Sequence, residues 1–172
     1  KKLNPTAKTL FVGGHVSALP LEVLKEESVD MVCQNEGVYT ISNLLKTDLS
    51  IQQIDSVKGL GYKVDGIGFL NSPEMIVPRS RLEYDLPGMA WDLLPDIKKY
   101  RTSGWHSWSN NTDSSPFVSL YTSLGCPYKC SFCMINIINR TDPSDGIASA
   151  DSNVFRYWNP DFIIKQFDQT VL

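Results

Sequence analysis

The chain has 172 residues, of which 42% are hydrophobic and 20% are charged, the composition of an ordinary globular domain. Lys and Arg number 16 against 19 Asp and Glu, so the formal net charge is −3 and no basic surface for nucleic acid is predicted. The sequence has no run of about 18 apolar residues, which excludes a predicted membrane span. Because it starts with Lys1 and stops inside a predicted helix, we expect a segment of a longer protein.

The first third of the chain alternates predicted strands and helices. The apolar runs 8–12 and 29–33 predict two buried strands, and a segment that suits a helix follows each of them, from Pro20 and over 39–45. This alternation favours an α/β domain with an open parallel sheet. Since doubly wound sheets usually have about five strands, earlier strands are expected to precede Lys1.

The middle of the chain predicts a packed connector. A small hairpin is predicted over 64–70, and the prolines and large apolar residues that follow differ from the Gly- and Ser-rich composition of a flexible linker. Further on, Trp105, His106 and Trp108 form an aromatic cluster. This cluster either packs between domains, the favoured interpretation, or lines a substrate cavity.

The last third is predicted to contain a strand over 117–122, a loop with three cysteines and a C-terminal helix. Alternation of β-rich residues indicates the strand. Asn159, Pro160 and Asp161 mark the start of the helix, with an N-cap residue, Pro at the first position and an acid in the first turn.

Three of the four cysteines, Cys126, Cys130 and Cys133, form the pattern C-x3-C-x2-C. Thiols clustered so closely favour a metal or cluster site in a reducing, cytoplasmic compartment over a disulfide framework. A cubane iron–sulfur cluster takes one external ligand on each iron, so three cysteines leave one iron open for a substrate or cofactor. The alternative is a structural zinc or cluster site with a fourth ligand such as His106 or Cys33.

Residues 121–133, with the sequence YTSLGCPYKCSFC, resemble the cluster loop of radical S-adenosylmethionine enzymes. The resemblance implies that Cys126, Cys130 and Cys133 ligate a 4Fe-4S cluster and that S-adenosylmethionine chelates the open iron. It also implies reductive cleavage of S-adenosylmethionine to methionine and a 5′-deoxyadenosyl radical, which abstracts a hydrogen from the substrate. Phe132 then either packs near the adenine or belongs to the core.

Two stretches near the N-terminus resemble the second half of a Rossmann-like cobalamin-binding domain. Residues 12–20, VGGHVSALP, and 35–40, NEGVYT, are similar to the Gly-Gly-x-His and Gly-Glu-Gly-Glu-x-Thr motifs of that family. Asn35 and Val38 depart from the second motif. Paired glycines would allow close approach of the backbone to a large flat ligand. The cofactor-binding residues that the resemblance implies are Gly13, Gly14 and His15.

Residues 85–95 resemble the segment that joins the two domains of cobalamin-dependent radical enzymes. We therefore expect a partial cobalamin-binding domain over 1–55, an interdomain connector over 56–115 and the start of a radical S-adenosylmethionine β/α (TIM-like) barrel over 116–172. The resemblance implies radical methylation from methylcobalamin, cyclisation or rearrangement of a small-molecule substrate, with electrons from a donor such as flavodoxin or ferredoxin. A radical enzyme of this class without cobalamin is the alternative. The segment itself is expected to be inactive, because further cofactor-binding residues would lie beyond Leu172.

Overall fold

A computed structural model of the chain describes residues 1–101, 116–128, 130–133 and 155–170. The chain divides into two compact units. Unit 1 comprises Lys1–Pro78 and Gly125–Phe155, and unit 2 comprises Arg79–Leu124 and Arg156–Leu172. None of the described helices is long and apolar enough to cross a membrane.

Unit 1 contains a mixed sheet with helices. Its described strands are β1 (Leu10–Val12), β2 (Met31–Cys33), β3 (Leu60–Val64) and β4 (Ile67–Leu70). Its described helices are α1 (Gly14–Ala18), α2 (Pro20–Leu24), α3 (Val38–Leu44) and α4 (Ile51–Ile54). The strand order is β1-β2-β3-β4. Strands β1 and β2 are parallel, whereas β3 and β4 each run antiparallel to the strand before them. The α/β class is confirmed, but the sheet is mixed rather than wholly parallel.

Strands β3 and β4 form a hairpin over 60–70, which includes the hairpin predicted over 64–70. Its two-residue turn is formed by Asp65 and Gly66, whose φ angles of 50° and 82° suit the tight turns that match strand twist. Because β3 also pairs with β2, the sheet continues well past residue 55, where the sequence placed the end of the first domain. The compact unit extends to Pro78.

The core of unit 1 lies on both faces of the sheet. Met31 of β2 packs in one cluster with Leu44 of α3 and Ile54 of α4. The next residue, Val32, faces the other way and packs with Leu24 of α2 in a second cluster. Each fully buried aliphatic side chain of this kind contributes roughly 1.5–3 kcal/mol to stability. Helices therefore cover both faces, as expected for parallel strands in an α/β protein.

Unit 2 is built from short elements. They are α5 (Leu82–Asp85), the strands β5 (Ser123–Leu124) and β6 (Arg156–Tyr157), α6 (Pro160–Asp168), and 3₁₀ turns at Arg79–Arg81, Trp91–Leu93 and Ile97–Lys99. Helix α6 begins as predicted, because the Asn159 side chain accepts a hydrogen bond from the Asp161 N–H and Pro160 occupies the first turn. The described part of unit 2 does not form a barrel, so the barrel stays a prediction.

The predicted strand over 117–122 is wrong. Only Ser123–Leu124 pairs as a strand, antiparallel to β6, while the residues before it are irregular. An isolated bridge between Arg101 and Pro116 is the nearest pairing. High β-propensity produces a strand only where a partner strand lies alongside, and the described residues supply one for two positions only.

Asp30 secures the amino ends of β1 and β2. Its carboxylate accepts a hydrogen bond of 2.7 Å from the Thr9 N–H and lies 2.6 Å from the Lys1 ammonium. Burial raises the pKa of this carboxyl, but the hydrogen bonds from Lys1 and Thr9 outweigh it and lower the pKa from 3.8 to about 2. A carboxyl with a lowered folded-state pKa stabilises the fold above its unfolded pKa, and this contribution is lost as the pH falls toward 2.

Replacing Asp30 with Asn is expected to lower the free energy of unfolding at neutral pH by about 1.5–3 kcal/mol, the range for a hydrogen bond to a charged group. The variant should also lose stability less steeply than the wild type between about pH 4 and pH 2, since it has no proton to gain at this position. Denaturant titrations across that pH range measure both effects. An Asp30→Asn profile parallel to the wild-type profile would contradict the assigned role.

Candidate metal and cofactor sites

The loop with Cys126, Cys130 and Cys133 directly follows β5 in the chain. Gly125 has a φ of 88°, a left-handed conformation that favours glycine. The Cys133 N–H donates to the Cys130 carbonyl at 3.0 Å and closes a turn across the C-x2-C pair. Cys130 is exposed, while Cys126 and Cys133 are half-buried. All three thiols therefore have at least partial access to the surface.

The three cysteines share a loop, but the structure does not gather their sulfur atoms. In the part of the chain that the structure describes, no three Cys, His, Asp or Glu side chains converge as a metal site requires. Ligand sets commonly assemble only when the metal binds. Sulfur donors without a neighbouring carboxylate or imidazole in residues 125–133 suit iron–sulfur or zinc chemistry. The donor set thus fits a cluster, and ligation by Cys126, Cys130 and Cys133 stays a prediction.

Cys33 does not suit the role of a fourth ligand. It is 1% exposed at the end of β2, and a Cβ added to Gly37 would come within 2.9 Å of its sulfur. Burial raises the pKa of the Cys33 thiol, against a lesser opposing effect of its hydrogen bond with Thr40. A protonated, buried thiol is chemically inert. The predicted aromatic cluster and alternative ligand lie outside the described residues: Trp105, His106 and Trp108.

Phe132 is 89% exposed on the cysteine loop. In the part of the chain that the structure describes, Phe132 is therefore not packed in a core. Its predicted contact with an adenine stays a prediction. An exposed aromatic ring beside candidate cluster ligands offers a flat apolar surface to a ligand.

Gly13 and Gly14 lie at the carboxyl end of β1, the edge at which open α/β sheets bind their ligands. Gly13 has φ 121° and ψ 179°, a conformation that is essentially restricted to glycine. A Cβ added there would meet no atom within 4 Å, so the backbone is open to an approaching group. Gly14 starts α1, and His15 is exposed on the same helix. This open backbone fits the close approach of a large flat ligand, and its occupation by cobalamin stays a prediction.

A second loop occupies the same edge after β2. Asn35 has a φ of 66°, which Asn tolerates better than most residues, and its side chain donates to the Glu74 carbonyl at 3.3 Å. The Glu36 carboxylate accepts a hydrogen bond of 3.0 Å from the Val77 N–H. The side chains of Asn35 and Glu36 therefore hydrogen-bond to the backbone of segment 74–77 and hold it beside this loop.

Ser17 of α1 connects the two loops, and sequence reasoning missed it. Its hydroxyl donates to the Gly13 carbonyl at 3.0 Å and accepts a hydrogen bond of 2.9 Å from the Asn35 N–H. The residue is 7% exposed. The one available signal is a serine between Val16 and Ala18 on the buried side of a short helix, because buried hydroxyls are normally hydrogen-bonded.

Several known proteins are similar to this chain in sequence. No protein-family model matches the chain. The chain is 29% identical over 136 residues to an uncharacterized methyltransferase of Pyrococcus horikoshii, a match that covers 77% of the chain and 26% of that protein. It is 28% identical over 104 residues to 4′-phospho-dehydrooxetanocin synthase of Priestia megaterium, a match that covers 60% of the chain and 12% of that protein. It is 29% identical over 112 residues to the anaerobic magnesium-protoporphyrin IX monomethyl ester cyclase of a Synechocystis species, a match that covers 63% of the chain and 19% of that protein.

A solved structure has the same fold. The cobalamin-dependent S-adenosylmethionine radical enzyme OxsB, with aqua-cobalamin and S-adenosylmethionine bound, matches with a TM-score of 0.57 and 24% identity over 92% of this chain and 18% of its own. The chain is therefore similar in sequence to enzymes named as a methyltransferase, a synthase and a cyclase, and similar in fold to a cobalamin-dependent radical S-adenosylmethionine enzyme. The chain spans about a quarter or less of the length of each of these proteins.

The burial of the thiols predicts their order of reaction with Ellman's reagent. Under native, reducing-agent-free conditions, the three loop cysteines should react rapidly and Cys33 only as fast as the chain unfolds, because its thiol is buried and its pKa is raised. Absorbance of the released thiolate measures the fast and slow phases. A Cys33→Ala variant should lack the slow phase alone, and rapid reaction of all four thiols would contradict the structure.

Proposed function

We propose that the chain is part of a cobalamin-dependent radical S-adenosylmethionine enzyme. In this proposal residues 1–55 belong to the second half of the cobalamin-binding domain, and the cluster loop belongs to the start of the radical S-adenosylmethionine barrel over 116–172. The observation that carries the proposal is the C-x3-C-x2-C loop directly after a strand, in a chain related to enzymes of this class. The uncovered backbone of Gly13 at the carboxyl end of β1 is compatible with a second ligand at that edge.

In this proposal Cys126, Cys130 and Cys133 would hold a 4Fe-4S cluster, which would leave one iron available to S-adenosylmethionine. When bound and reduced, this pair supplies a 5′-deoxyadenosyl radical. The residues of the chain serve binding and orientation. The turn from Cys130 to Cys133 would set the spacing of two cluster ligands, and the exposed ring of Phe132 would offer a flat apolar surface to the adenine.

Cobalamin would be bound by Gly13, Gly14 and His15 at the carboxyl edge of the sheet. The glycine-only conformation of Gly13 leaves its backbone uncovered, so a flat ring system can approach more closely than any side chain would allow. We propose radical methylation of a small-molecule substrate with methylcobalamin as the donor and a flavodoxin or ferredoxin as the source of electrons. The methyltransferase from Pyrococcus supports this reaction class.

Metal analysis tests the cluster assignment. After anaerobic reconstitution with iron and sulfide, the chain is expected to hold about four irons and no stoichiometric zinc. Cys130→Ser should lose most of the iron because a cluster ligand is gone, whereas Cys33→Ala should retain it because Cys33 is a core residue. One zinc and no iron in the wild type would contradict the proposal and indicate a structural metal module.

Hydroxocobalamin binding, followed by its visible spectrum, tests the second cofactor. Gly13→Ala is expected to weaken binding by about tenfold or more, because alanine cannot hold the open backbone without about 1–3 kcal/mol of strain. Gly66→Ala is the matched control, since Gly66 also has a positive φ with no atom within 4 Å of an added Cβ but lies in the β3–β4 turn. Equal affinity of the two variants would contradict a site at Gly13.

A further inference from the structure

The two loops at the carboxyl edge of the sheet meet through one hydroxyl. Strands β1 and β2 are parallel and in register from Leu10 with Met31 to Val12 with Cys33, so their carboxyl ends lie side by side. After β1 the chain enters α1 at Gly14, and after β2 it forms the loop at Asn35. The Ser17 hydroxyl bridges this divide between the Gly13 carbonyl and the Asn35 N–H.

The direction of both hydrogen bonds is determined. The Asn35 N–H can only donate, so the Ser17 oxygen accepts from it, and its single hydrogen is then directed to the Gly13 carbonyl. The Ser17 N–H donates to the same carbonyl at 2.9 Å. The N–H and the hydroxyl of Ser17 thus both donate to the Gly13 carbonyl. The Asn35 N–H has the Ser17 hydroxyl as its acceptor.

We propose that Ser17 is a positioning residue for the corrinoid at this edge: it sets the placement of the Asn35 loop relative to the open backbone of Gly13. The inference rests on the proposed cobalamin site. Removal of the hydroxyl leaves the Asn35 N–H without its buried acceptor, a loss that drives a loop to rearrange. The loop then no longer presents a defined surface beside Gly13, and a preorganised site becomes one that the ligand must order.

Thr9 provides a matched control at the opposite edge of the same two strands. Its hydroxyl accepts a hydrogen bond of 3.1 Å from the Asp30 N–H, and its single hydrogen is within donor distance of the Ser28 carbonyl and of the Asp30 carboxylate, the latter at 3.0 Å. Thr9→Val therefore removes a hydroxyl bridge between the β1 and β2 segments, as Ser17→Ala does, but at the amino ends of the strands. A purely structural contribution to the sheet is expected from both.

The test combines ligand-free amide hydrogen exchange with hydroxocobalamin titration of the full-length protein that contains this chain, at a temperature at which each variant is fully folded. Ser17→Ala is expected to speed exchange of the Asn35 amide by about tenfold or more. It should also weaken hydroxocobalamin binding by about tenfold. Thr9→Val should lower the melting temperature to a similar extent and leave both quantities unchanged.

Four results would overturn the inference. Unchanged exchange at Asn35 in Ser17→Ala would show that the hydroxyl does not hold this loop. Faster exchange with wild-type hydroxocobalamin affinity, or equal weakening in Thr9→Val, would make Ser17 merely structural. A wild-type full-length protein that does not bind hydroxocobalamin would reject the proposed cobalamin site and the positioning role with it, whatever the exchange result.

Discussion

The parallel pairing of β1 with β2 is the constraint on which the rest of unit 1 depends. Its register directs Met31 to one face and Val32 to the other, where separate groups of helices cover them. A slip of one residue would exchange the two faces and expose both clusters. The same register brings the carboxyl ends of the strands together, so the packing that stabilises the sheet also creates the edge at which a ligand can bind.

That edge is held by few groups, each with a specific role. Gly37 has a φ of 75° and lies against the buried Cys33 thiol, so no larger residue fits there. Ser17 and Asn35 supply polar connections, while Gly13 contributes exposed backbone. The arrangement combines rigid neighbours with an open surface, as expected of a preorganised binding site.

Local patterns predicted the elements that depend on local signals. Asn159 and Pro160 predicted the start of α6, and a hairpin was predicted over 64–70, where the structure has the turn and β4. The mixed direction of the sheet and its extension beyond residue 55 could not be predicted, because strand pairing joins residues far apart in the chain. The strand over 117–122 was wrong for the same reason. Ser17 became visible only once the register had placed Asn35 beside it.

The central claim is that the cysteine loop holds a cluster with one iron free of protein ligands. Electron paramagnetic resonance of the anaerobically reconstituted chain during mild oxidation tests it most directly, since an iron without a protein ligand is the one most readily lost. We predict conversion of the 4Fe-4S cluster to a 3Fe-4S species, reversed by added ferrous iron and reductant. A cluster that resists this conversion, or a chain that takes up no iron, would contradict the account.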